Sequence, residues 1–143
     1  MVGNDSVIET CSDAQLIFGD NILINGGLRL TCSKKIVLGK DVLCSWNVNI
    51  YDTDFHRIKD ATTNIKKETC SSDINIGDNC FIGFGCSLLK GSKLGDFCIL
   101  GAESLFNKNY EKSKYLVIAG NPAKIIKEGY YLDRYDCSPE WNY

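Results

Sequence analysis

Residues 76–106 read IGDNCFIGFGCSLLKGSKLGDFCILGAESLF, and their spacing decides the fold. Ile76, Ile82, Leu88, Leu94, Leu100 and Phe106 recur at every sixth position. Four places after each of the first five stands a small residue, Cys80, Cys86, Ser92, Cys98 or Ser104. Glycine directly follows the aliphatic residue as Gly77, Gly83, Gly95 and Gly101. This is not a helical period. Strand side chains alternate between two faces, so the aliphatic and the small residue of one unit point the same way, inward. The rest of each unit must turn. Gly-Asp-Asn at 77–79 and Gly-Asp-Phe at 95–97 supply residues that tolerate positive φ or make local side-chain hydrogen bonds. Three units close one triangular coil of about eighteen residues, and stacked coils pair strand on strand in parallel, burying the aliphatic ladder of a solenoid.

Working outward, the same pattern occupies Phe18, Ile24 and Leu30, with Ile22 and Leu28 four later, and Leu38, Cys44 and Ile50, with Val42 and Val48. A two-residue slip between Leu30 and Leu38 reads as an enlarged corner at Ser-Lys-Lys 33–35. From Arg57 to about Asp73 the pattern breaks entirely, which predicts an exposed loop leaving the coil. After Phe106 the repeat fades, resumes at Tyr115-Leu-Val-Ile, and gives way to Ala119-Gly-Asn-Pro-Ala-Lys. The tail carries Tyr130, Tyr131, Tyr135, Trp141 and Tyr143, and is expected to cap the last coil or to pack on a neighbouring subunit, with a binding role as the alternative. The expected organisation is one all-β domain of about five coils, at about 16–56 and 74–122, with a loop at 57–73 and a C-terminal tail at 123–143.

The 143 residues are 44% apolar and 24% charged, ordinary values for one globular domain. Sixteen basic against 18 acidic residues give a net charge of -2, which supplies no basic field for nucleic acid. No apolar run approaches the roughly 20 residues that span a bilayer, and the N-terminus has no signal-peptide pattern, so a cytoplasmic location is expected. The eight cysteines lack any C-x-x-C pair. Cys32 and Cys44 are twelve apart, as are Cys86 and Cys98, while Cys80 and Cys86 are six apart. They read as buried thiols in phase with the repeat, not as metal ligands or disulfides.

Four segments together resemble the hexapeptide-repeat acyltransferases, in particular the branch of galactoside, maltose and polysaccharide O-acetyltransferases. They are Ile76-Gly-Asp-Asn-Cys-Phe-Ile-Gly, Leu94-Gly-Asp-Phe-Cys-Ile-Leu-Gly-Ala, Ala119-Gly-Asn-Pro-Ala-Lys and Asp52-Thr-Asp-Phe-His. The resemblance runs from about Phe18 to Lys127. It implies a left-handed parallel β-helix, although parallel crossovers in general favour the right hand. It also implies acetyl-CoA as co-substrate, no metal, and a homotrimer with the donor in a cleft between subunits. Phe81 stands where a tryptophan is common, and Glu103 replaces a glycine of the usual Gly-Ala-Gly run.

His56, the only histidine, closes the Asp52-Thr-Asp-Phe segment where the family places its catalytic base. Acetyl transfer from a thioester to a hydroxyl requires removal of the hydroxyl proton, and imidazole suits that near neutral pH. Asp52 or Asp54 would accept the other imidazole N–H, or would only hydrogen-bond within a turn. By register, Asn25 corresponds to an asparagine that contacts the acceptor, with corner duty as the equal alternative. The resemblance assigns Phe84, Ala102, Asn107 and Lys108 to the pantetheine groove, and Lys124 and Lys127 to the nucleotide phosphates, where solvated lysine is the alternative. The expected reaction is O-acetylation of a sugar or polysaccharide precursor. N-acetylation of an amino-sugar nucleotide, antibiotic acetylation and a non-catalytic scaffold stand as alternatives. A γ-type carbonic anhydrase would need three zinc-binding histidines.

Overall fold

The computed structural model describes residues 1–66 and 69–134 and is a three-sided parallel β-solenoid of about six turns. The first face holds β1 (Val7–Thr10), β4 (Arg29–Cys32), β7 (Asn49–Tyr51), β10 (Ser87–Leu89) and β13 (Leu105–Phe106). The second holds β2 (Gln15–Phe18), β5 (Lys35–Leu38), β8 (Ile74–Ile76), β11 (Lys93–Leu94) and β14 (Asn109–Tyr110). The third holds β3 (Leu23–Ile24), β6 (Leu43–Cys44), β9 (Phe81–Ile82), β12 (Ile99–Leu100), β15 (Leu116–Gly120) and β16 (Ala123–Glu128). Asn75 pairs with Lys93, Phe81 with Ile99 and Ser87 with Leu105, the register that a six-residue repeat dictates.

The inward positions are those the spacing singles out. Ile76, Ile82, Leu88, Leu94, Leu100 and Phe106 are buried, and so are Cys80, Cys86, Ser92, Cys98 and Ser104. The small inner residues also donate hydrogen bonds to corner carbonyls. Cys80 Sγ reaches Gly95 O at 3.1 Å, Cys86 Sγ reaches Gly101 O at 3.0 Å, and Ser92 Oγ reaches Phe106 O at 2.8 Å. Serine and cysteine exchange at this slot because each fits the narrow interior and satisfies a buried acceptor.

Three boundaries differ from expectation. The slip at 33–35 does not enlarge a corner. It lengthens β4 and β5 to four residues each and buries Cys32 and Ile36 as an added layer, leaving Ser33–Lys34 as a tight turn. The solenoid also begins earlier than residue 16, because β1 pairs with β4 and Val2 bridges to Ile24. Residues 123–128 are not tail but β16, which turns back antiparallel on β15.

The three edges differ in character. On the glycine edge, where the third face passes to the first, Gly27, Asn47, Gly85 and Glu103 all have positive φ. Their amides donate to Asn4, Gly26, Trp46 and Phe84 carbonyls of the coil below. On the tail edge, between the second and third faces, Asn21, Asp41, Asn79, Phe97 and Tyr115 take the same conformation. Gly129–Arg134 then descends this edge instead of capping the last coil. Gly129 N–H donates to Tyr115 O at 2.8 Å, Tyr131 meets the stacked rings of Phe97 and Tyr115, and Arg134 Nη1 donates to Asn21 O at 2.7 Å. Tyr135, Trp141 and Tyr143 lie outside the described residues. The remaining edge, from the first face to the second, carries the extruded loop.

Candidate active site

Between β7 and β8 the chain leaves the coil as an irregular hairpin. Its root is closed by an antiparallel bridge between Thr53 and Ser71, and by amides of Asp54 and Ser72 donating to Cys70 O and Asp52 O at 2.8 and 2.9 Å. Further out, Lys59 bridges to Lys66. The Thr62 hydroxyl, then the amides of Thr63 and Thr62, hold the Asp60 carboxyl down at about 2 and fix the tip.

Asp52 stays inside the prism, directly above Cys32, with no exposed surface. Its Oδ1 accepts the Ser33 amide at 2.7 Å, and Oδ2 accepts those of Lys34 and Lys35 at 2.7 and 2.9 Å. A buried carboxylate needs such donors, and here they tie the loop root to the corner beneath. Asp54 is exposed and forms an ion pair with Lys90 of the coil above. The His56 amide donates to Asp54 O at 2.6 Å, closing a three-residue turn on Phe55, whose φ is 61°. A bulky residue rarely adopts that conformation. Phe55 is held there by its amide on Thr53 Oγ1 at 3.1 Å and by Tyr51, whose ring centroid lies 5.8 Å away.

The imidazole of His56 is exposed, and among the described residues no side chain hydrogen-bonds to it. The expectation that Asp52 or Asp54 orients it is not met within one chain: Asp52 is engaged by three amides and Asp54 by Lys90. Asn107 and Lys108 stand on the same loop edge, in the corner after β13, both exposed. Asn25, Phe84 and Ala102 lie instead on the glycine edge, while Lys124 and Lys127 project from β16. Lys127 Nζ sits 5.4 Å from the Tyr130 ring centroid. Sequence reasoning passed over Lys90 and Trp46. An aromatic ring in the corner slot that holds Gly26, Phe84 and Ala102 in other coils was the legible sign of Trp46.

No protein-family model matches the chain. A Saccharomyces cerevisiae protein named as an acetyltransferase is 31% identical over 115 residues, covering 80% of this chain and 57% of that protein. A maltose O-acetyltransferase from Clostridium difficile superposes with a TM-score of 0.66 at 28% identity, over 87% of this chain and 70% of that one. The chain belongs to the hexapeptide-repeat acyltransferases. A galactoside acetyltransferase in complex with coenzyme A superposes with a TM-score of 0.70 over 96% of this chain and 72% of that one, and at 23% identity it speaks for the shared fold. Like these neighbours, this hexapeptide-repeat acyltransferase is a left-handed β-helix. It spans about half the length of the curated relatives it matches, 57%, 41% and 60% for three of them.

Proposed function

We propose that this hexapeptide-repeat acyltransferase transfers an acetyl group from acetyl-CoA to a saccharide hydroxyl, with His56 as general base. One observation carries the reading: the chain's single histidine stands at the root of its extruded loop, its imidazole without a hydrogen-bond partner among the described residues and its backbone fixed by the Asp54–Phe55 turn. Neutral imidazole takes the hydroxyl proton as the oxygen attacks the thioester carbonyl. The C–O bond forms, the tetrahedral oxyanion collapses, the C–S bond breaks, and the released thiolate takes up a proton as the ester departs. The oxyanion calls for a fixed hydrogen-bond donor.

The residues suit a long donor with charged phosphates. On the glycine edge Gly85 and Gly101 are half-buried and Ala102 is exposed, so small residues there let a pantetheine arm lie along the backbone. We assign Phe84 and Ala102 to that arm, Asn107 and Lys108 to its flank, and Lys124 and Lys127 to the phosphates. Lys108 and Lys124 form no ion pair among the described residues, leaving both ammonium groups available to an anion. Glu103 folds its carboxylate against Gly85 and brings a negative charge beside the groove.

His56 and Asn25 occupy different edges, so a site that unites them is completed by a neighbouring copy, in keeping with the homotrimer that the resemblance implies. No helix among the described residues is long and apolar enough to cross a bilayer. We infer a cytoplasmic enzyme that modifies a precursor of a polysaccharide.

Release of free coenzyme A thiol tests this across simple sugars, amino-sugar nucleotides and chloramphenicol. A saccharide hydroxyl is the expected acceptor, whereas a preferred amine or antibiotic would move the enzyme to another acceptor class. His56→Ala should abolish turnover while leaving assembly and donor affinity unchanged by sedimentation and calorimetry. Turnover retained in that variant removes the base.

A further inference from the structure

Directly above the root of the extruded loop, the turn Leu89-Lys90-Gly91-Ser92 passes from the first face to the second. The prism holds this turn firmly. Ser92 N–H donates to Leu89 O at 3.0 Å, and the buried Ser92 hydroxyl lies 2.5 and 2.8 Å from the carbonyls of Leu89 and Phe106. Gly91 takes φ 79°, a conformation that glycine adopts freely. Its N–H donates to Ser72 O at 3.2 Å, which ties the turn to the returning arm of the hairpin. Lys90, half-buried, ties the same turn to the outgoing arm through the Asp54 carboxylate.

Asp54 is the pivot between these ties and the histidine. Its N–H donates to Cys70 O at 2.8 Å, its carbonyl accepts the His56 amide at 2.6 Å, and its carboxylate meets the Lys90 ammonium. Residues 54–66 are exposed throughout, so no packed interior holds this arm of the hairpin in place. Asp52 anchors the root to the corner beneath, and Lys90 anchors it to the corner above, two residues nearer His56.

Resting on the base assignment above, we infer that Lys90 is a positioning residue for acetyl transfer, clamping Asp54 so that the turn on its carbonyl holds His56 where the reacting hydroxyl meets it. Lys90 acts through Asp54 and not on the reacting atoms. A general base works only within hydrogen-bond reach of the proton it takes, and displacement by about 1 Å can cost about a hundredfold in rate. The ammonium suits the task because it joins charge and hydrogen bond in one contact with a carboxylate. An ion pair this accessible to water adds little to folding, so the pair sets where the loop root sits more than whether the chain folds. Lys108, one rung higher on the same edge, forms no ion pair among the described residues. Of the two lysines it is the one open to an anion, while Lys90 is engaged.

The chain has a single histidine, so protein made with isotopically labelled histidine gives one backbone amide signal, and its exchange with solvent reports the turn on Asp54 O. Lys90→Met and Asp54→Ala should each speed that exchange at least about tenfold at fixed pH, with the urea midpoint unmoved. Lys90→Arg should keep the slow exchange. In turnover of acetyl-CoA with methyl β-D-galactopyranoside, Lys90→Met should lower kcat about tenfold and leave both KM values unchanged. The Lys90→Met/Asp54→Ala double variant should be no slower than the slower single one, as expected of two residues acting as a unit. The inference is overturned if Lys90→Met leaves the His56 amide exchanging as before, or if the donor KM rises while kcat holds, which would make Lys90 a donor ligand. A midpoint that falls along with the amide's protection also overturns it, since the pair would then be structural only. So does an unchanged kcat in a loosened Lys90→Met when His56→Ala is inactive. If His56→Ala still turns over while Lys90→Met loosens the amide, the base assignment fails and the clamp on the loop root stands.

Discussion

Asp52 accepts three amides from Ser33, Lys34 and Lys35, all within 2.9 Å, while fully buried. Asparagine in its place would turn an NH2 group toward N–H donors and leave buried groups unmet, at a cost of about 1–3 kcal/mol. Asp52→Asn should therefore lower stability by about 2 kcal/mol, read by urea denaturation, with turnover falling only as far as the loop root loosens. Unchanged stability would show that the corner does not depend on the carboxylate. The sequence left this residue open between chemistry and turn because the amides it serves lie 17 to 19 residues upstream. His56 stood out as a candidate by its uniqueness and its place before the loop. Lys90 did not, since its pairing with Asp54 spans 36 residues.

The hexads were readable because burial inside the narrow prism is all or nothing: a polar residue in the Leu88 or Leu94 slot would have no exit. Gly77 shows the same tightness at a corner. A Cβ there would lie 2.6 Å from Asp96 Oδ1 and 2.7 Å from Asp96 N, and backbone of the next coil cannot move aside. Gly77→Ala should cost about 3 kcal/mol by overpacking, measured as a shift in the denaturation midpoint. A shift close to zero would mean that the coils slide apart more easily than their parallel pairing implies. Elements escaped notice where this constraint lapses. Ile8, 41% exposed, marks a terminal coil with no neighbour below, so β1 left no clear hydrophobic trace. β16 pairs antiparallel and carries no hexad at all. The slip at 33–35 was visible, but spacing alone does not reveal whether extra residues bulge or lengthen strands.

Across the molecule, five of the described cysteines share the interior. Burial pushes the thiols of Cys44 and Cys80 up to about 12, and burial followed by the Asp52 charge pushes Cys32 up to about 11. A raised folded pKa favours the protonated thiol in the native state. Its stabilisation is complete below the free-thiol value of about 8.5 and is lost as pH climbs toward the folded values. Stability should thus decline above about pH 9, and Cys44→Val should flatten that alkaline limb. In a Cys137→Ser background, Ellman's reagent should label Cys11 and Cys70 in the native protein and the other five only after unfolding. Rapid native labelling of all seven would contradict the packed interior.

The run from Gly129 to Arg134 has a mechanical consequence. A stack whose rungs touch only their neighbours can peel from either terminus, one rung at a time. Here the guanidinium of Arg134 grips Asn21 across 113 residues of chain, while Tyr131 is latched to Phe97 and Tyr115 near the opposite pole. Unwinding the coil that carries Asn21, or lifting Tyr131 from Phe97 and Tyr115, must first open that buckle, which ties the first described coil to the last.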